Sequence, residues 1–172
     1  MNKKQLKLLL EQGKKLNDKI SFYFNHKIIT KQTPNGQEIK GHIEKAEHNL
    51  NFVKYALEGK YSDWSVVGCY YAVYHISLAL ILKKGYFSKN HDATLCILIK
   101  EYCKKELTEE DIKLVNEIYL DNEDILFYTE SKEEREKASY STQIVFDDRR
   151  VEELKQRTLL FVRKAIEILQ KL

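Results

Sequence analysis

The chain has 172 residues and a mass of 20.4 kDa, the size of one domain with room for a substantial core. One proline and six glycines, beside 32% charged and 43% hydrophobic residues, are too few turn formers for an all-β fold and suit a helical globular protein. The net charge is only +3, but residues 1–60 carry 12 lysines against 6 acidic residues, and residues 101–136 carry 13 acidic against 5 basic ones. Such polarity can steer an anionic partner or pair two subunits, or simply be solvated surface.

Residues 3–24 predict a first helix, with Leu6, Leu9, Leu10, Leu16 and Ile20 on one side and lysines on the other. Residues 27–40 break that pattern. Ile28-Ile29-Thr30, then Pro34-Asn35-Gly36, then Gln37-Glu38-Ile39 reads as a short hairpin or extended loop around an Asn-Gly turn. Gly41 to Glu58 forms a second helix with Ile43, Ala46, Leu50, Val53 and Leu57 in period, stopped by Gly59. Ser62 or Asp63 caps the next helix, which ends at Lys84-Gly85.

That helix contains Trp64 to Leu82, nineteen residues without a formal charge. About twenty apolar residues span a bilayer core. Tyr70, Tyr71, Tyr74 and His75 sit in its middle, however, and their polar atoms would need partners in lipid. A core helix apolar on every side is the simpler reading, with no membrane partner. Gly68, Ala72, His75 and Ala79 follow a +4, +3, +4 spacing and share one face. A glycine inside a helix costs roughly 1 kcal/mol against alanine. Close approach of another helix, or of a symmetry mate across a Gly68–Ala72–Ala79 seam, would offset it. His75 is then the titratable group in that seam, either a satisfied core histidine or a functional one.

Ser88 or Asn90 caps a fourth helix to about Lys104. Thr108 opens a fifth through a Thr108-x-x-Asp111 capping box with Asp in place of Glu or Gln. Residues 129–142 are polar and irregular in part. Asp147 or Asp148 caps a last helix over Arg149–Lys171, with Val151, Leu154, Phe161, Ala165, Ile168 and Leu172 inward. The fold class is therefore all-α, an up-and-down helical bundle over residues 41–172 preceded by a helix and hairpin-like extension over 1–40.

Three cysteines, Cys69, Cys96 and Cys103, without a CxxC pair suit neither a disulfide framework nor zinc, and point to a reducing cytoplasm. The N-terminus lacks the unbroken apolar run of a signal peptide. Glu44 and His48 share a helix face but lack a third metal ligand. No phosphate-binding glycine loop or nucleophile elbow occurs, and no cofactor is expected. The 11 Tyr, 7 Phe and one Trp fall mostly inside apolar runs, as core rather than base-stacking platforms.

Several stretches in order resemble the HEPN family of helical domains, closest to its small stand-alone prokaryotic members. Tyr70-Tyr71-Ala72-Val73-Tyr74-His75 stands where the family shows an aromatic-rich R-x-Y-Y-A-x-F-H pattern. Ser88-Lys89-Asn90-His91 stands where Lys-Ser-His is frequent, and Arg135-Glu-Lys-Ala138-Ser139-Tyr140 where Arg-x-x-Ala-Asp-Tyr is. The resemblance implies a homodimer that pairs its central helices. It implies RNA or a nucleotide at Tyr71, His75, His91, Arg135 and Tyr140, and a minimal nucleotidyltransferase partner in a toxin–antitoxin or defence module. In active members an Arg a few residues before a His forms a metal-independent ribonuclease site. Arg holds the phosphate, and His, with His75 in the catalytic place, is general base or acid.

This chain lacks that Arg. Gly68 stands seven before His75, the first arginine anywhere is Arg135, and the last histidine is His91. Loss of the forked donor points to a binding module over a nuclease. A working ribonuclease rebuilt around His75, with Arg135, Arg149 or Arg150 folded back as the cation, and a purely structural dimer are the alternatives.

Overall fold

The computed structural model describes residues 1–130 and 148–171. Along them run α1 (Lys3–Glu11), α2 (Gly13–Asn25), β1 (Thr30–Lys31), α3 (Gly36–Glu58), α4 (Ser62–Lys83), β2 (Tyr86–Phe87), α5 (His91–Tyr102), α6 (Glu109–Glu130) and α7 (Asp148–Lys171). The all-α bundle expected from the composition is present. At its centre α4 packs along α3 and against α5, α6 and α7. Its most apolar 18-residue window is 78% buried inside the fold, so its hydrophobicity is that of a helix touched on nearly every side. Val66, Cys69, Val73, Ile76, Leu80 and Ile81 are fully enclosed.

The expected first helix is two. Gln12, at φ −120° and ψ 89°, ends α1 and precedes Gly13 at the start of α2. Across this bend Leu6 and Leu9 of one helix and Leu16 and Ile20 of the other all reach the same core.

The expected hairpin around Asn35-Gly36 does not form. A two-residue type I′ turn needs positive φ at both central positions, yet Asn35 has φ −110°. Its side chain instead accepts hydrogen bonds from the N–H groups of Gln37 (2.9 Å) and Glu38 (3.2 Å). It is thus the N-cap of α3, which begins at Gly36 rather than Gly41. Thr30–Lys31 pairs antiparallel with Tyr86–Phe87, the segment that follows α4. Gly85, at φ +74°, turns the chain into this ladder while its carbonyl accepts from the Gln32 N–H at 3.0 Å. Replacing Asn35 with Ala should therefore cost about 1 kcal/mol and lower Tm by about 2–4 °C in thermal unfolding. An unchanged Tm would show the cap to be redundant.

Other ends differ less. Ser62 and Asp63 lie inside the first turn of α4, whose N-cap is Tyr61 without a side-chain bond; Asp63 still complements the helix dipole there. Asn90 caps α5 through Ala93 N–H at 2.9 Å, and that helix ends at Tyr102, short of Lys104. Thr108 and Asp111 form the reciprocal capping box, Thr108 N–H donating to Asp111 Oδ2 (2.7 Å) and Asp111 N–H to Thr108 Oγ1 (3.2 Å). Asp148 is the first residue of α7 rather than its cap, and Asp147 lies outside the described residues. Part of the acidic charge of α6 is answered within the chain, by Arg157 on Glu117 (3.0 Å) and Lys164 on Asp111.

Candidate functional site

Helices α3 and α4 run antiparallel through the short Gly59–Tyr61 connection. Close contact along the pair depends on Gly68. A Cβ built there would lie 2.6 Å from Val53 Cγ2 and 3.1 Å from Phe52 Cδ1, both on α3. The helix that approaches the small-residue stripe is therefore a neighbour in the same chain. Ala72 and Ala79 are fully buried within the protomer, so the Gly68–Ala72–Ala79 seam is internal, which corrects its expected place at a dimer contact.

Farther along the same helix pair, His75 of α4 meets His42 of α3. Their Nδ1 atoms are 3.0 Å apart, with ring centroids at 5.2 Å. Two Nδ1 atoms at that distance hold one hydrogen between them, so one ring donates and the other accepts. Both rings are half-buried. Burial, then the neighbouring His42 and Lys45, push His75 down to about 4, and burial also lowers His42 against the pull of Glu38. At neutral pH the pair is uncharged.

An aromatic cluster continues from this pair into the core. Tyr71 stacks near His75 (6.5 Å between centroids) and Tyr74 meets it edge-on (5.5 Å). Tyr74 also meets His91 edge-on (5.7 Å), and the Tyr70 hydroxyl is hydrogen-bonded to His91 Nε2 at 2.9 Å. Behind them Tyr119 of α6 stacks on His91 at 4.5 Å. Burial, above all, raises the Tyr119 hydroxyl, which is a core group and no proton donor near neutrality. The fold thus brings Tyr71, His75 and His91 of the expected set into one cluster. Arg135 and Tyr140 lie outside the described residues.

Of this cluster Tyr71 reaches the surface, where other aromatics of α3 and α4 are also exposed. Trp64 is 61% exposed, Tyr71 44%, Phe52 41% and Tyr55 68%, and Phe22 and Tyr61 are exposed as well, so among the described residues the aromatics are core less often than their place in apolar runs predicts. Trp64, Gly68, Tyr71 and His75 repeat at +4, +3, +4 and form one stripe of α4. Of the three arginines offered as a substitute cation, Arg135 lies outside the described residues and the other two have partners away from the pair. Arg149 is ion-paired with Glu153 at 3.6 Å, and Arg150 lines a groove of 760 Å³ with Lys3, Leu6, Glu110 and Asn116. Glu44 reaches Lys40 on the surface and His48 is exposed; no three His, Cys, Asp or Glu side chains gather among the described residues. The cysteines are buried and free, with burial pushing Cys69 and Cys96 up to about 12, so they are inert as nucleophiles.

His42 went unread in the sequence. Alone on an amphipathic helix it carries no signal, because its meaning comes from His75, a residue on a different helix. The adjacency of α3 and α4 across a short loop was the one available hint.

The fold and this histidine pair define a helical bundle with a polar site between its two central helices. A family model for the HEPN domain matches residues 39–169, three quarters of the chain, and the chain belongs to that family. A similar protein is the one named "Putative toxin MJ0605" of Methanocaldococcus jannaschii, 33% identical over 106 residues that cover 62% of this chain and 70% of that protein.

Proposed function

We propose that this HEPN protein has a toxin-type role and acts by binding RNA or a nucleotide at the α3–α4 face, as a homodimer, rather than by cleaving RNA. Gly68 carries that reading. The place where active relatives are expected to hold a phosphate-binding Arg is filled by Val53 and Phe52 of α3, and the remaining polar pair is neutral at physiological pH. Self-association now rests on the exposed Trp64, Tyr71 and Phe52 surface instead of the internal glycine stripe, aromatic residues being enriched at interfaces. A minimal nucleotidyltransferase is the partner the family resemblance suggests.

His42 favours a second reading. Two imidazoles sharing one hydrogen can supply a base and an acid to a phosphodiester, and Lys45 contributes positive potential to His75. Labelled RNA incubated with wild type and His75→Ala, with EDTA present, separates the two. Retention of RNA on filters with no cleavage is the expected result. Cleavage lost in both His75→Ala and His42→Ala would instead assign a rebuilt nuclease.

A further inference from the structure

The Nδ1–Nδ1 contact dictates what the other side of each ring can offer. The ring that donates its Nδ1–H has a bare Nε2, and the ring that accepts at Nδ1 must carry hydrogen on Nε2. The pair therefore presents one acceptor, one donor and no charge. Neither histidine has a bond from Nε2 to a described residue. A phosphate oxygen accepts only, so the bare nitrogen opposes it. One proton placed on that nitrogen leaves the inner Nδ1–H···Nδ1 bond intact and converts the pair into two N–H donors with a unit positive charge.

We propose that a phosphodiester entering the α3–α4 face is bound with uptake of one proton by the His42–His75 pair. The inference rests on the reading that RNA or a nucleotide is the ligand. It gives that ligand a site on this chain's own histidines and makes the site pH-dependent. The charged groups acting on the pair are Glu38 and Lys45 of α3; α4 adds Tyr71 and Tyr74, and α5 adds His91 behind Tyr74. Among the described residues α6 and α7 add no charge acting on either ring. Glu38 favours a proton on His42 and Lys45 disfavours one on His75. His42 is therefore the ring that becomes imidazolium, with His75 accepting its inner hydrogen.

The test is calorimetric titration of the full chain with a ten-nucleotide oligouridylate lacking terminal phosphates, so that the probe itself titrates nowhere between pH 5 and 8. Measurements at pH 5.5, 6.5 and 7.5, in buffers of different ionisation heat, count the protons. Near neutrality the expected uptake is about one proton per site, with affinity falling up to about tenfold per pH unit. His42→Gln, checked for folding by circular dichroism, should bind more weakly and lose that uptake. Binding with no uptake, or uptake unchanged in His42→Gln, overturns the proton coupling and leaves the RNA reading standing. No binding at any of the three pH values overturns both.

Discussion

Substituting Gly68 with Arg, which restores the Arg-then-His order of active relatives, should destabilise the protein and leave it without ribonuclease activity. The first carbon of any side chain at 68 arrives 2.6 Å from Val53 Cγ2, well inside contact distance. Over-packing of a filled seam costs about 1–3 kcal/mol for small additions, and a guanidinium would have to be buried there as well. Gly68→Ala tests the steric part alone. Alanine gains roughly 1 kcal/mol of helix propensity, so a net loss on urea unfolding would measure the clash beyond that gain. Val53→Ala leaves a cavity by itself, but combined with Gly68→Ala it opens space for the new methyl. The double variant should be more stable than the two single effects predict, by about 1 kcal/mol of coupling. A stable Gly68→Arg protein that cuts RNA would remove the basis for a binding role.

The second large effect concerns pH. An unfolded histidine titrates near 6.5, and both His42 and His75 are held lower in the fold, His75 at about 4. Below 6.5 the unfolded chain takes up protons the folded pair refuses. The pair's contribution is thus fully present above about 6.5 and is lost as the pH falls toward 4. Because both rings are partly open to solvent, the loss is on the order of 1 kcal/mol rather than the full linkage value. Urea midpoints between pH 7.5 and 4.5 should fall for wild type and fall less for His75→Gln. Parallel curves for the two proteins would mean that the pair does not resist protonation.

Much of this architecture could be read from the residues, for identifiable reasons. Apolar period, the Thr108–Asp111 box and the Asn90 cap are local, and each appears in the structure where the spacing put it. Asn35 misled because the same side chain serves an N-cap and a turn, and only the backbone φ distinguishes them. The Gly68 stripe announced a close approach correctly, but spacing cannot say whether the approaching helix belongs to the same chain. At the site, His75 stands out within an aromatic run, and His91 through the resemblance carried by Ser88-Lys89-Asn90-His91. His42 and the Tyr70–His91 bond are products of tertiary contact between separate helices, so no window along the chain contains them.

The small ladder between Thr30–Lys31 and Tyr86–Phe87 has a consequence for motion. It closes the α3–α4 hairpin into a ring, with the Gly59–Tyr61 turn at one end and the ladder at the other. His42 and His75 lie toward the ladder end. With only two paired residues on each strand, the ladder is among the cheaper parts of the fold to open. Fraying would therefore begin at the histidine end of the helix pair rather than at the Gly59–Tyr61 turn, and the Gln32 amide, bonded to the Gly85 carbonyl, should exchange with solvent faster than the amides of α4. The helix pair that carries the histidines is thus closed at that end by a clasp outside both helices.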